Sequence, residues 1–302
     1  MESTSGPGQT AQGDGAARPF GRVFTSLQVQ PFWTFVGAWS VLCGALATNS
    51  LPWRGEALLA LSFALLLVTV AWAGLWILAV GTNWASLLRG RALSPAALPN
   101  LPYTRADSPA GRLGQGLSHL VGWWREAFWP AAGPISVMCL LAVSLATVLS
   151  LLLPLPVRWL NLALAAVVAL GVVRGHRGHT PLAAQALLYA GLPWLAGYLA
   201  FATFRWHALL LATLFALAVW GVLRVARGMA GGPWLLHGAQ VGVAVLLIIL
   251  GRPLYAGGIM ALALGQILSS LTRRFGGEPA AVAHRIWPWL LAAMLVAALA
   301  IP

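Results

Sequence analysis

Residues 57–80 read ALLALSFALLLVTVAWAGLWILAV, a stretch of apolar and small residues without a single charge. A helix needs about 20 such residues to cross the hydrocarbon core of a bilayer, and it can do so because it satisfies its own backbone hydrogen bonds there. The stretch therefore predicts a membrane-spanning helix, and with it an integral membrane protein of the all-α class.

The composition of the whole chain agrees with this assignment. Of its 302 residues, 60% are hydrophobic and only 8% are charged, which is more apolar surface than a water-soluble domain of this length can bury. The net charge is +12, but the basic residues stand singly between apolar runs, so we expect membrane lipids and no nucleic acid as partners. All of the 18 basic residues are arginine, which is typical of a GC-rich bacterial genome and indicates a bacterial inner membrane.

Eight further segments meet the length requirement, so the expected fold is a polytopic helical bundle of nine spans in one membrane domain, residues 23–302. Residues 1–22 are expected to form a disordered tail, because they are rich in Gly, Ser, Gln and Ala and lack the apolar core of a signal peptide. The predicted spans are 31–49, 57–80, 131–153, 157–173, 181–203, 207–226, 234–250, 254–271 and 286–301.

The distribution of arginine predicts the orientation of these spans. If the amino terminus is cytoplasmic, all but four arginines fall on the inner side, as the positive-inside rule requires. This places the carboxyl terminus outside. The four exceptions are Arg54, Arg158, Arg205 and Arg252.

The longest connection, residues 81–130, contains a predicted amphipathic helix at 111–129. Such a helix should lie along the inner membrane surface. Two interpretations remain open: a connector packed against the bundle, and a lid over an inward-facing cavity. The apolar face consists of Leu113, Leu117, Leu120, Val121, Trp124 and Phe128, and the polar face of Arg112, Gln115, His119 and Glu126.

Two arginine-bearing segments follow the second and sixth spans on the inner side. Residues 83–91 read NWASLLRGR, and residues 224–228 read RVARG. The guanidinium group of arginine can donate two parallel hydrogen bonds to a phosphate or another anionic group. An anionic lipid headgroup is therefore the predicted ligand, provided that the two span ends meet at one cavity mouth. Alternatively, these arginines are only orientation signals. The four side chains are Arg89, Arg91, Arg224 and Arg227.

The residue types of ordinary catalysis are scarce. The chain has six acidic residues, and all lie in the tail or in connections, so they provide neither a proton relay inside the membrane nor a carboxylate pair. His176 and His179 share an inner loop with two arginines, which is typical of an orientation loop; metal or anion binding is the alternative. We therefore expect no catalytic residue, no metal and no cofactor.

Polar side chains inside the predicted spans have two possible roles. Interhelical hydrogen bonding is the usual one, and cavity lining is the alternative. The residues concerned are Asn161, Gln185, Gln240 and Gln266.

Beyond this, the chain resembles the UbiA superfamily of intramembrane prenyltransferases. The traces that carry the resemblance are Gln30-Pro31-Phe32 entering the first span, Gly44-Ala45-Leu46-Ala47 leaving it, and Asn83. The resemblance extends from Gln30 to Pro302 and implies nine spans, functional loops after the second and sixth, and a cap formed by the long inner connection. It also adds Asn83 to the predicted ligand-binding residues.

The aspartates that hold magnesium on the prenyl diphosphate in that family are missing. If Asn83 matches the family's asparagine, then Trp84 and Leu87 occupy the aspartate positions, and the second loop offers arginines. Because magnesium needs oxygen ligands, the resemblance predicts a degenerate member that has lost metal-dependent prenyl transfer and binds an isoprenoid or an anionic lipid. The alternatives are an accessory subunit of a larger membrane complex with a membrane-protein partner, and a lipid or small-molecule transporter.

Overall fold

The computed structural model describes residues 31–49, 55–82, 84, 108–176, 181–271 and 279–301. In this part of the chain every regular element is a helix, which confirms the all-α class. The expected tail at residues 1–22 lies outside it. In chain order the helices are α1 (Pro31–Leu46), α2 (Gly55–Val80), α3 (Pro109–Gly122), α4 (Trp129–Leu151), α5 (Leu155–His176), α6 (Leu182–Leu199), α7 (Trp206–Ala226), α8 (Gly232–Ile249), α9 (Pro253–Leu271) and α10 (Pro279–Ala300).

Seven of these helices are long and apolar enough to cross a membrane: α2, α4, α5, α6, α7, α8 and α10. The chain is therefore an integral membrane protein with a multi-helix bundle. The first and eighth predicted spans correspond to shorter apolar helices, Phe32–Leu46 and Pro253–Ser269. At 1.5 Å per residue, the 16 residues of α1 extend about 24 Å, somewhat less than a typical hydrocarbon core. The count of nine stays a prediction.

Two predicted boundaries differ from the observed ones. The last span was expected to begin at residue 286, but α10 begins at Pro279, because proline suits the first turn of a helix, where its missing N–H costs nothing. The first span was expected to reach residue 49, but α1 ends at Leu46, and Asn49 adopts a left-handed backbone with φ 49°. A residue in this conformation cannot continue a helix.

Helix α6 lies at the centre of the bundle, and 83% of it is buried. It packs along α1 on one side and α7 on another, and it also contacts α5. Gly44 of α1 and Gly197 of α6 face each other where the two helices cross. A Cβ atom on Gly44 would overlap the carbonyl of Trp194, and one on Gly197 would overlap the carbonyl of Val41. The crossing therefore requires glycine in both helices.

Helix α4 lies at the periphery, and only 17% of its most apolar stretch is buried. Leu140 and Leu141 are 66% and 58% exposed. In a membrane these side chains face lipid, which solvates them as well as a protein interior does.

Hydrogen bonds between side chains of different helices occur at two places in the described part of the chain, which confirms the structural interpretation for three of the four polar residues within spans. The Nε1 of Trp72 in α2 donates to the Oδ1 of Asn161 in α5 at 2.9 Å, and the Nδ2 of Asn161 donates to the Oγ of Ser150 in α4 at 2.8 Å. The Nε2 of Gln240 in α8 donates to the Oε1 of Gln266 in α9 at 2.7 Å, and both amides are fully buried.

In the described part of the chain, three π-helical turns interrupt the α-helical hydrogen-bond pattern. They cover Leu67–Trp72 within α2, Trp123–Phe128 between α3 and α4, and Leu187–Gly191 within α6. The second turn makes α3 continuous with α4, so the predicted helix at 111–129 is confirmed as a helix. Among the described residues, its extensive contacts are with this turn. The two interpretations of the helix, a connector packed against the bundle and a lid over a cavity, both stay predictions.

Candidate functional site

Of the five predicted ligand-binding residues, the structure describes two. Asn83, Arg89 and Arg91 lie outside the described residues, as do the side chains of His176 and His179. Arg224 lies in the last turn of α7, and Arg227 caps the carboxyl end of that helix.

Arg224 supports the turn that follows α7. Its Nη2 donates to the carbonyl oxygen of Ala230 at 2.5 Å, and its guanidinium lies 5.9 Å from the centre of the Trp220 ring. The helix ends in a Schellman motif, in which the N–H of Met229 donates to the carbonyl of Arg224 and Gly228 takes the left-handed conformation with φ 63°. Part of the guanidinium is therefore already engaged by the protein's own backbone.

Among the described residues, α2 and α7 both contact the central helix α6 but have no extensive contact with each other. Helix α7 makes its extensive contacts with α8, α10 and α6, whereas α2 makes its own with α1, α4, α5 and α6. Because the residues after Trp84 lie outside the described part until Ser108, a common cavity mouth for the two arginine segments stays a prediction.

A narrow crevice lies where α1 meets the π-helical turns of α2 and α6. Trp33 and Tyr189 stack across it with ring centres 5.2 Å apart, and Thr69 and Gly37 contribute to its wall. π-Helical turns often occur at functional sites. This crevice is too narrow to hold a water molecule, so it provides no ligand site in this conformation.

A larger groove opens between α5, α6 and α7, with a volume of about 500 Å³. It follows α6 from Leu187 to Leu199, which is about 18 Å at the rise of an α-helix. Its position is the end of the bundle where α5 and α7 begin, and Arg224 lies at the opposite end of α7. The lining residues are Pro156, Trp159, Leu160, Ala163, Leu187, Gly191, Leu192, Leu195, Leu199, Phe204, Leu209, Ala212 and Thr213.

The residues at the floor of this groove are buried, and those at its rim are exposed. Leu192, Leu195 and Ala212 are buried, whereas Trp159 and Phe204 are 64% and 57% exposed at the rim. The space exists because small residues occupy the middle of each wall, namely Ala163 in α5, Gly191 in α6 and Ala212 in α7.

The chemistry of the groove is that of a hydrocarbon surface. Thr213 is the one lining residue with a polar side-chain atom other than the Trp159 indole, and its Oγ1 donates to the carbonyl of Leu209 within its own helix at 2.8 Å. The groove has no acid, base or nucleophile. Its size and lining suit an apolar chain.

No group of three or more His, Cys, Asp or Glu side chains that could hold a metal ion occurs among the described residues. No protein family, curated protein or solved structure matches the chain. The resemblance to the UbiA superfamily accordingly rests on the sequence traces alone.

Proposed function

We propose that this chain is a membrane protein that binds an isoprenoid or another long-chain lipid in the groove between α5, α6 and α7. The observation that carries the proposal is the groove itself: about 500 Å³, apolar, open at its rim and set between membrane-spanning helices. Pockets of this size hold ligands of small-lipid or drug size.

Packing, and not the hydrophobic effect, would select the ligand, because a chain in the bilayer is already surrounded by hydrocarbon. The buried residues at the floor of the groove, which include Leu192 and Leu195, offer a ligand dispersion contacts at defined positions. An isoprenoid has a rigid double bond in each five-carbon unit, so it has fewer rotatable bonds to fix on binding than a saturated acyl chain of the same length and keeps more of this contact energy. These considerations favour an isoprenoid.

The finer features of the proposal come from the sequence. Nine spans, with α1 and α9 completing the set, would put the amino terminus in the cytoplasm and the carboxyl terminus outside a bacterial inner membrane. The UbiA-like assignment adds that metal-dependent prenyl transfer is lost, because Trp84 and Leu87 stand at the aspartate positions. The anionic headgroup site of Asn83, Arg89, Arg91, Arg224 and Arg227 remains a separate proposal at the other end of α7.

An experiment on the groove uses a large side chain to fill it. Ala163→Trp places an indole between α5 and α6, whereas Ala165→Trp places the same indole on an exposed position of α5 that does not line the groove. Both variants are reconstituted in nanodiscs that contain a photoreactive polyprenol, and labelled peptides are quantified by mass spectrometry.

We expect Ala163→Trp to reduce labelling of the groove peptides several-fold, because the indole occupies the space of the chain. Ala165→Trp should label like the unmodified protein. Equal labelling of all three proteins would contradict the proposal, and so would equal displacement of the probe by saturated lipids, which would leave only unselective solvation by the bilayer.

An accessory subunit is the second candidate, and the exposure of α4 favours it. Large apolar side chains cover this helix on the outside of the bundle. A partner helix could pack there as well as lipid does. Co-purification of a stoichiometric membrane protein that is lost on substitution of Leu140 and Leu141 by tryptophan would support this role.

A further inference from the structure

The helix that precedes α4 exposes a continuous apolar face. The surface helix, defined as residues 109–128, consists of α3 and the π-helical turn after it. Its large apolar residues recur at intervals of four, three and four residues, so they share one side. Their exposed fractions are 69% for Leu113, 56% for Leu117, 59% for Leu120 and 45% for Trp124.

The less exposed side of the surface helix is made of small residues. Gly111, Gly114 and Ser118 are half-buried, and Gly122 is buried. The leucine face points away from these small residues, and within the described part of the chain no other element packs extensively on it. A soluble helix with such a face would be an aggregation hazard.

The surface helix is joined directly to a membrane span. The backbone keeps right-handed helical angles through Trp123, Phe128 and Trp129, so the helix runs into α4 without a loop. At this junction Trp124 stacks on Phe128 with ring centres 4.6 Å apart, and Trp129 lies 6.2 Å from Trp124. An aromatic cluster at the end of a span is typical of the headgroup region.

We infer that the surface helix is an interfacial anchor, whose leucine face is inserted among the lipids of the leaflet in which α4 begins. The proposed occupant of the face is lipid because the helix runs without a loop into α4, a membrane-spanning helix with large exposed apolar side chains. The insertion is governed by apolar contact and not by charge, since Arg112 and Arg125 are offset in part by Glu126. Anchoring should therefore be similar in zwitterionic and anionic membranes.

The test uses nitroxide labels on the full-length chain in nanodiscs. Cys43→Ala and Cys139→Ala remove the two native thiols, and Leu117→Cys or Gln115→Cys then places one label on the leucine face or on the polar face. Accessibility to oxygen, which concentrates in the bilayer, is compared with accessibility to a water-soluble nickel chelate. Each protein is measured in zwitterionic and in anionic nanodiscs at high and low protein concentration.

The inference predicts that the label at position 117 has a several-fold higher ratio of oxygen to nickel accessibility than the label at position 115, at a depth of about 5–10 Å below the headgroups. The ratio should not depend on lipid charge or protein concentration. A label at 117 that is open to nickel would overturn the inference. Protection from both reagents would also overturn it, because a protein surface would then cover the face: a second copy if the protection is lost on dilution, the chain's own segment if it is not.

Discussion

Helices α4 and α6 are both apolar along their whole length, yet they occupy opposite environments. Of the two, α4 is the more hydrophobic and lies at the periphery, whereas α6 is less hydrophobic and is 83% buried. In a water-soluble protein the order would be the reverse. Within a bilayer, hydrophobicity does not drive helices together, because lipid is as apolar as leucine.

The difference between the two helices lies in their small residues. Helix α6 contains Gly191 and Gly197 at points of close approach to α7 and α1, and five of its other residues are alanine. Helix α4 has Gly133 near its start, where a Cβ would meet only the ring of Trp129 in the same helix. Close contacts at glycine thus accompany the central position of α6, and exposed leucines mark the side of α4 that faces lipid.

The largest effect is expected from adding one methyl group where α6 crosses α1. Gly197→Ala should destabilise the protein by about 1–3 kcal/mol, because its Cβ overlaps the Val41 carbonyl and forces α1 and α6 apart. The measurement is reversible unfolding in mixed detergent and SDS micelles.

Gly74→Ala in α2 is the matched control, since a Cβ at this position meets no atom within 4 Å. It should be neutral or should stabilise the helix by about 0.5–1 kcal/mol through the better helix propensity of alanine. If the two substitutions have the same effect, close glycine packing does not account for the central position of α6.

A smaller loss of stability is expected when the hydrogen bonds that join α4 and α2 to α5 are removed. Asn161→Leu removes the bonds that join α5 to Trp72 of α2 and Ser150 of α4. The expected loss is about 0.6–2 kcal/mol, the range found for hydrogen bonds between membrane helices. Unfolding in micelles measures the loss, and hydrogen exchange of α4 shows whether this helix is loosened first.

Thr147→Val serves as the comparison for that substitution. The Thr147 hydroxyl is exposed and donates to the Val143 carbonyl of its own helix, so no contact between helices is removed. A loss equal to that of Asn161→Leu would mean that the interhelical bonds contribute nothing of their own.

The sequence was sufficient for the helices because the signal is local. A run such as residues 57–80 predicts a helix in a bilayer, and hydrogen bonds to other helices were expected for Asn161 and Gln240 because an unpaired amide is costly there. Their partners were not predicted from the sequence. Burial was not predictable in the same way. The sequences of α4 and α6 both read as spans, and what separates them is the set of neighbours that Gly44 and Gly197 allow.

The candidate sites were predicted less well. The groove depends on Ala163, Gly191 and Ala212, which come from three helices, and no local pattern links them. Arg224 was identified by its position, but its bond to Ala230 depends on the tight turn that Gly228 and Gly231 make with positive φ. The run Arg227-Gly228-Met229-Ala230-Gly231-Gly232 carries a glycine signal for that turn.

The most direct test of the account is to map which residues touch hydrocarbon. A phospholipid with a diazirine on its acyl chain is photolysed in nanodiscs with the unmodified protein, and the adducts are located by mass spectrometry. We predict adducts at Leu140 and Leu141 on α4 and at Leu187 and Leu209 on the groove walls, with none at Trp194, which is fully buried in α6. Adducts at Trp194, or no adducts at Leu140 and Leu141, would contradict it.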